Sequence, residues 1–225
     1  MNIMYWILFI AVAVVSFAVQ YNLKRKFEKY SRIPLGSGMT GAEVAERMLR
    51  QNGINDVKVT AVGGQLTDHF NPLTKTVNLS EGVYHSNSVA AAAVAAHECG
   101  HAVQHANGYI PLKMRSALVP VVSFASKIMS WVLLLGMFLI NVFPQVLMAG
   151  IALFALTTLF SFITLPVEIN ASKRALVWLN TTGITDISNH EHAEKALRAA
   201  AYTYVVAALA SLATLVYYIM LANRR

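Results

Sequence analysis

The chain has 225 residues, of which 56% are hydrophobic and 13% charged, about half the charged share of an average soluble domain. That composition argues against an ordinary soluble enzyme and makes an integral membrane protein with one polar region the starting expectation. The net charge of +7 comes from basic residues beside apolar runs, not from an aromatic-interleaved basic surface, so it points to anchoring at a lipid bilayer and not to a nucleic-acid partner.

Residues 3–19 are almost unbroken apolar sequence followed by "NLKRKFEKYSR". A cleavable signal peptide carries its basic residues before the apolar run, so this order predicts an uncleaved membrane-spanning helix. In "TGAEVAERMLRQNG", Thr40 as N-cap, Glu43 completing a capping box and Gly53 as terminator predict a helix, with Glu43–Arg47 and Glu46–Arg50 pairs on its wet face. "DVKVTAV" alternates and is valine-rich, which predicts a strand turned by Gly63-Gly64. "TKTVNLS" predicts a second strand after the Asn71-Pro72 turn, and its segment "TVNLS" is a candidate edge for holding an extended peptide. Next comes a helix capped by Ser86 or Ser88 and running through "AAAAVAAHECGHAVQHA".

From Ile128 to Pro166 no residue is charged. At ~1.5 Å rise per residue this stretch is long enough to cross a ~30 Å hydrocarbon core twice. Spans are expected at 118–140 and 146–165, reversed by "NVFPQ", with Lys127 snorkelling to the basic flank or facing the folded domain. After Leu165 the helix is expected to continue as "PVEINASKRALVWLN", with charges returning and a polar turn at Pro166, and to end at Gly183; a last span is expected at 199–221 with Tyr217 and Tyr218 at an interface. The chain therefore divides into a first span (1–20), a mixed polar region (21–115), a membrane hairpin (116–165), a helix and linker (166–198) and a final span (199–225). Lys24, Arg25, Lys26, Lys29, Arg32, Lys113, Arg115, Lys173 and Arg174 fall on one side of this arrangement and the hairpin loop carries none. The bias puts the polar region in the cytoplasm and the N-terminus outside.

His97-Glu98-Cys99-Gly100-His101 is the pattern H-E-x-x-H. On a helix, residues four apart share a face, so both imidazoles can reach one zinc ion. Glu98 is turned about 100 degrees away and can reach a water on the metal. Zinc lowers the pKa of such a water to about 7, and a glutamate beside it acts as general base. A catalytic zinc needs a third protein ligand and an open fourth position. His105 lies two turns beyond His97, roughly 12 Å along a straight helix, too far to share the ion. Asn107 stands where a metzincin would place its third histidine. Cys99 points the wrong way and reads as a small buried residue, and as the single cysteine it excludes an internal disulfide. Among the 11 acidic residues, Glu168 stands out, because it begins a helix beside Pro166 directly beneath an apolar span. It is either a paired carboxylate near the metal or one favoured by the helix N-terminus. Tyr84, His85, Tyr109 and Arg174 are candidate donors to an oxyanion; Asp68, Glu81 and Asp186 are the remaining candidates for a third ligand.

"HECGHAVQHANGY", the charge-free hairpin, "LPVEINASKRAL", "TGAEVAERML" and "DHFNPLTKTVNLSEGVYHSNSVAAAAVAAHE" together closely resemble the YugP-like family of membrane zinc metallopeptidases, over nearly the whole chain. By wider analogy the chain is similar to membrane-bound gluzincin proteases, whose third ligand is a glutamate on a later helix. The resemblance implies a mainly α integral membrane protein with about four transmembrane helices and a small α+β zincin-like domain. It also implies one Zn2+ held by His97, His101 and Glu168, with Glu98 as catalytic base. Relatives often place a supporting aspartate four residues after the ligand glutamate; here that position is Ser172, with Asn170 between. The expected function is that of a membrane-anchored zinc endopeptidase at the cytoplasmic membrane surface, acting on protein or peptide substrates that include membrane-protein segments. The alternatives are a non-catalytic scaffold with a structural zinc and an intramembrane zinc protease. The apolar run before His97 is too short for the intramembrane reading.

Overall fold

The computed structural model describes residues 3–223. Helix α1 (Ile3–Tyr30) is apolar on all sides until its basic last turns, and from Trp6 onward none of its apolar window is buried inside the protein. A helix with no polar face suits a lipid environment. The chain then enters a small folded region. There α2 (Gly41–Gln51) starts at the expected capping box, Thr40 Oγ1 accepting from Glu43 N at 3.3 Å and Glu43 Oε2 accepting from Thr40 N at 2.8 Å. The Glu43–Arg47 and Glu46–Arg50 pairs do not form. Glu43 is turned to its cap, and Arg47 reaches back to Met39 Sδ at 3.7 Å.

Three strands follow, β1 (Lys58–Val62), β2 (His69–Asn71) and β3 (Thr76–Ser80), in the spatial order β1-β3-β2. β3 pairs parallel with β1, Val59 opposite Val77, and antiparallel with β2, Phe70 opposite Val77. "TVNLS" is therefore the central strand and not an edge. Its Val77 and Leu79 are wholly buried, which a strand covered on both edges and packed on one face requires. The outer strand on this side is β2, too short to reveal itself by alternation. Asn71 Oδ1 closes the β2–β3 turn by accepting from Leu73 N at 2.9 Å, and Lys75 completes it in the left-handed region at φ 51°.

After the short α3 (Glu81–Tyr84), α4 (Val89–Ala106) begins at Ser88, whose Oγ accepts from Ala91 N at 3.2 Å. α4 is the centre of the fold. It packs on α2, the sheet, α6 and α7, and Ala90 to Ala93, Ala95 and Ala96 are all buried. Alanine suits a helix surrounded by neighbours because their backbones can approach closely.

The remaining helices are α5 (Ile110–Phe138), α6 (Pro144–Thr181) and α7 (Ile187–Ala222). Among the described residues, they make with α1 four helices long and apolar enough to cross a membrane, beside one small sheet, and the chain is a mainly helical membrane protein. α5 and α6 form the hairpin. A Cβ on Gly136 would lie 2.6 Å from Leu147 Cα, and one on Gly150 would lie 2.8 Å from Leu133 Cδ2, so only glycine allows this approach. Lys127 is exposed on α5 and does not face the folded region.

The helix continues past Leu165 as expected, and no polar turn forms at Pro166. α6 runs unbroken for 38 residues, about 57 Å at the helical rise. Proline removes one donor, whereas unwinding the chain beneath a membrane would leave several backbone groups unpaired. Glu168 thus projects from the flank of a continuous helix. α7 likewise starts a dozen residues before the expected span, at the Asp186 cap, whose Oδ1 accepts from Asn189 N at 2.7 Å.

Candidate metal centre

His97 and His101 leave the same face of α4 with ring centroids 4.8 Å apart. That face meets α6 where a Cβ on Gly100 would lie 2.7 Å from the Ala171 carbonyl oxygen. The close contact brings Glu168, one turn earlier on α6, onto both imidazoles. Its Oε2 is 3.2 Å from His97 Nε2 and 3.5 Å from His101 Nε2. The three candidate ligand atoms all lie within 4.8 Å of one another. Ligand atoms about 2.1 Å from one tetrahedral ion sit roughly 3.4 Å apart, so the spacing around the carboxylate oxygen suits a small cation.

The surrounding hydrogen bonds test the fit independently. Gln104 is wholly buried, and its Nε2 donates to the Val167 carbonyl at 2.8 Å and to Asn170 Oδ1 at 3.0 Å. Asn170 Oδ1 also accepts from Arg174 Nε at 2.8 Å. With both amides oriented this way, Gln104 Oε1 is an acceptor, 3.0 Å from His101 Nδ1. His101 therefore carries its proton on Nδ1 and turns the Nε2 lone pair towards Glu168. Two facing acceptors repel unless a cation or a second proton lies between them, so this donor set fits a metal. Burial of the His101 ring opposes its charged form, yet the carboxylates of Glu168 and Glu98 hold its pKa above the ordinary value. Ser172 Oγ stands 3.1 Å from His97 Nδ1. A hydroxyl thus contacts the ring nitrogen opposite the one that faces Glu168.

Glu98 is buried and sits apart from the three. Its Oε2 accepts from Phe70 N of β2 at 3.0 Å, which leaves the carboxylate anchored but not tied to the histidines. Arg115 of α5 donates from Nη1 to Glu168 Oε1 at 3.1 Å. The opposite oxygen, Oε2, is the one nearer the imidazoles. A cleft of about 500 Å³ opens over this cluster, walled by β2 and its turn on one side and by α5 and Tyr204 of α7 on the other.

The other candidates do not join the three ligand atoms, although Asp68 lines the cleft. His105 is exposed, its ring 5.7 Å from that of Phe70. Cys99 is fully buried with Sγ 3.5 Å from the Ala45 carbonyl, and burial pushes its thiol well above the ordinary pKa. Asp68 accepts from Ser80 N at 2.7 Å, and Asp186 caps α7. Of the four candidate oxyanion donors, Tyr84 and His85 pack on each other, Tyr109 is the first residue before α5, and Arg174 holds Asn170; none lines the cleft. Arg115 and Tyr204 line it instead. Reading the sequence missed them because both lie in stretches read as membrane-flanking or membrane-spanning. Gln104 left one signal, a polar residue in the last turns of an otherwise apolar helix.

The family described as "Putative neutral zinc metallopeptidase" matches residues 5–223. The chain belongs to this family. Its likeness extends to a curated relative from Bacillus subtilis (strain 168), "Putative membrane protease YugP", at 44% identity over 94% of this chain and 93% of the relative. No solved structure matches the chain.

Proposed function

We propose that the chain is a membrane-anchored zinc endopeptidase that hydrolyses polypeptides at the cytoplasmic face of the membrane. One observation carries the reading: His97, His101 and Glu168 converge on a single point beside an unligated, buried Glu98. His97 Nε2, His101 Nε2 and Glu168 Oε2 would hold the ion, which supplies the Lewis acidity that makes water a nucleophile near neutral pH and polarises a peptide carbonyl. Gln104 and Ser172 orient the two imidazoles through their Nδ1 atoms. Arg115 occupies Glu168 Oε1, so Glu168 would offer the ion its other oxygen, Oε2. Glu98, steadied by the Phe70 amide, accepts a proton from water as the hydroxyl adds to the carbonyl carbon. It returns that proton to the leaving nitrogen as the C–N bond breaks.

The helices support this location. The C-terminal end of α1, the start of α5 and the C-terminal third of α6 all adjoin the folded region and carry eight of the 18 Lys and Arg residues, which favours a cytoplasmic site. Glu168 lies one turn beyond the apolar part of α6, so the cleft sits near the bilayer surface and suits polypeptide segments emerging from it. The intramembrane alternative is not favoured, since α4 is buried in protein and is not among the helices long and apolar enough to cross.

The test pairs two variants of the full chain in detergent or liposomes. Glu98→Gln should retain zinc and lose cleavage of an unstructured protein by more than about 100-fold, whereas Glu168→Ala should lose both zinc affinity and cleavage. Cleavage by Glu98→Gln at the wild-type rate would refute the mechanism. Zinc retained by both variants and no cleavage by wild type would favour the scaffold with a structural ion.

A further inference from the structure

A second, smaller cavity of about 160 Å³ adjoins the cleft on the side away from α5. The two share Asp68, His97, Glu98 and Tyr204 as walls, so the small cavity opens directly at the proposed base and metal ligand. Its other walls are apolar: Leu23 and Phe27 from α1, Leu66 from the β1–β2 loop, Val94 from α4, and Leu197 and Ala200 from α7. Nothing in the hydrolysis derived above uses this space.

We propose that this cavity is a specificity subsite that receives the side chain of one residue flanking the scissile bond, and that it selects leucine, methionine or phenylalanine. The inference rests on the endopeptidase reading of the site. Size supports the occupant, because an apolar cavity of ~150 Å³ accepts a benzene-sized guest. Chemistry supports it as well. Its polar groups are confined to the walls shared with the cleft, so a charged or amide-bearing tip seated among Leu23, Phe27, Val94 and Leu197 would lose its water without gaining a partner.

Position selects a substrate side chain over a solvent-filled gap, since an extended polypeptide with its carbonyl at His97 and Glu98 projects its neighbouring side chains within one residue's reach of that point. The rim adds a separate sign. Leu66 is exposed and held at φ 57°, a backbone region leucine rarely adopts and one that tends to persist where surrounding structure serves a function. Two membrane-crossing helices, α1 and α7, would thereby set sequence preference as well as anchor the enzyme.

The experiment uses the full chain in liposomes. Cleavage sites in an unstructured protein are mapped by mass spectrometry. Pairs of substrates differing only at the flanking residue then give ratios of kcat/KM. Wild type should show leucine, methionine or phenylalanine recurring at one flanking position. One methylene more or less in an apolar pocket is worth about 10–200-fold. Ala200→Leu, which narrows the cavity, should lower the leucine-over-alanine ratio by roughly tenfold or more. Leu23→Ala, which widens it, should raise the phenylalanine-over-leucine ratio and serves as the second reading if Ala200→Leu does not fold. Zinc content is measured for each variant. Ratios unchanged in zinc-loaded Ala200→Leu and Leu23→Ala, or no apolar preference at either flanking position, would overturn the subsite; the second result is also what a lipid chain filling the cavity would give. A wild type as silent as Glu98→Gln would overturn the endopeptidase reading beneath it.

Discussion

Gly100 lies between the two histidines and carries no chemistry of its own, yet the structure makes it a determinant of the site. A methyl group there would sit 2.7 Å from the Ala171 carbonyl oxygen and 3.2 Å from Ala171 Cα, whereas ordinary contact begins at 3.4 Å. The obstacle is backbone, so no side-chain rotation relieves it, and α6 must retreat from α4 by roughly 0.7 Å. Glu168 is one turn from Ala171 on the same rigid helix and would move with it. Overpacking of this kind costs about 1–3 kcal/mol of stability. Disturbing the support of a ligand typically costs about 10–100-fold in metal affinity or activity. Gly100→Ala should therefore bind zinc about 10–100-fold more weakly in a chelator competition and unfold at lower temperature, with hydrolysis reduced at least in proportion. Gly82→Ala is the control, since nothing lies within 4 Å of its added Cβ. If Gly100→Ala matched wild type in zinc affinity, the close approach of α4 to α6 would not be what places Glu168.

The buried amide makes a graded prediction. Gln104→Leu removes the acceptor for His101 Nδ1 and the donor to the Val167 carbonyl, whereas Gln104→Glu keeps an acceptor; zinc affinity should fall about 10–100-fold in the first and less in the second, and equal losses would show that Gln104 does not orient His101. Topology is testable by cysteine labelling in a Cys99-free background, where position 56 should be reached from the cytoplasmic side and position 145 from the opposite side; the reverse pattern would move the proposed site outside the cell.

What could be read from the sequence was what is local. The Thr40 capping box, the Ser88 start of α4 and the shared face of His97 and His101 each depend on residues within four positions of one another. Glu168 was within reach because few carboxylates exist in the chain and the family resemblance pointed to it. The failures also share a cause. A change in composition marks where the solvent changes from lipid to water, but a helix does not end there, since its backbone hydrogen bonds are internal in both. α6 therefore passes Pro166 unbroken, and α7 begins well before its apolar stretch. Tyr204 and Arg115 escaped notice because composition shows that a segment is apolar but not which side chain turns towards a neighbour. β2 escaped because three residues carry no period.

The same geometry explains why the polar region cannot stand as the whole site. Residues 21–115 hold His97, Glu98, His101 and Gln104, but two imidazoles leave a zinc without the third ligand a catalytic centre needs. Glu168 arrives only after the chain has crossed and recrossed the apolar layer as α5 and α6, with Gly136 and Gly150 closing the hairpin tightly enough to hold α6 in register. Arg115 leaves α5 near its start and Glu168 leaves α6 near its exit, and their ion pair joins the two ends of the hairpin beside the proposed metal. Small shifts between α5 and α6 would thus be felt as movement of a ligand and not merely as altered packing. On the proposed reading the bilayer, by setting how these helices lie against one another, becomes part of what holds Glu168 against the two histidines.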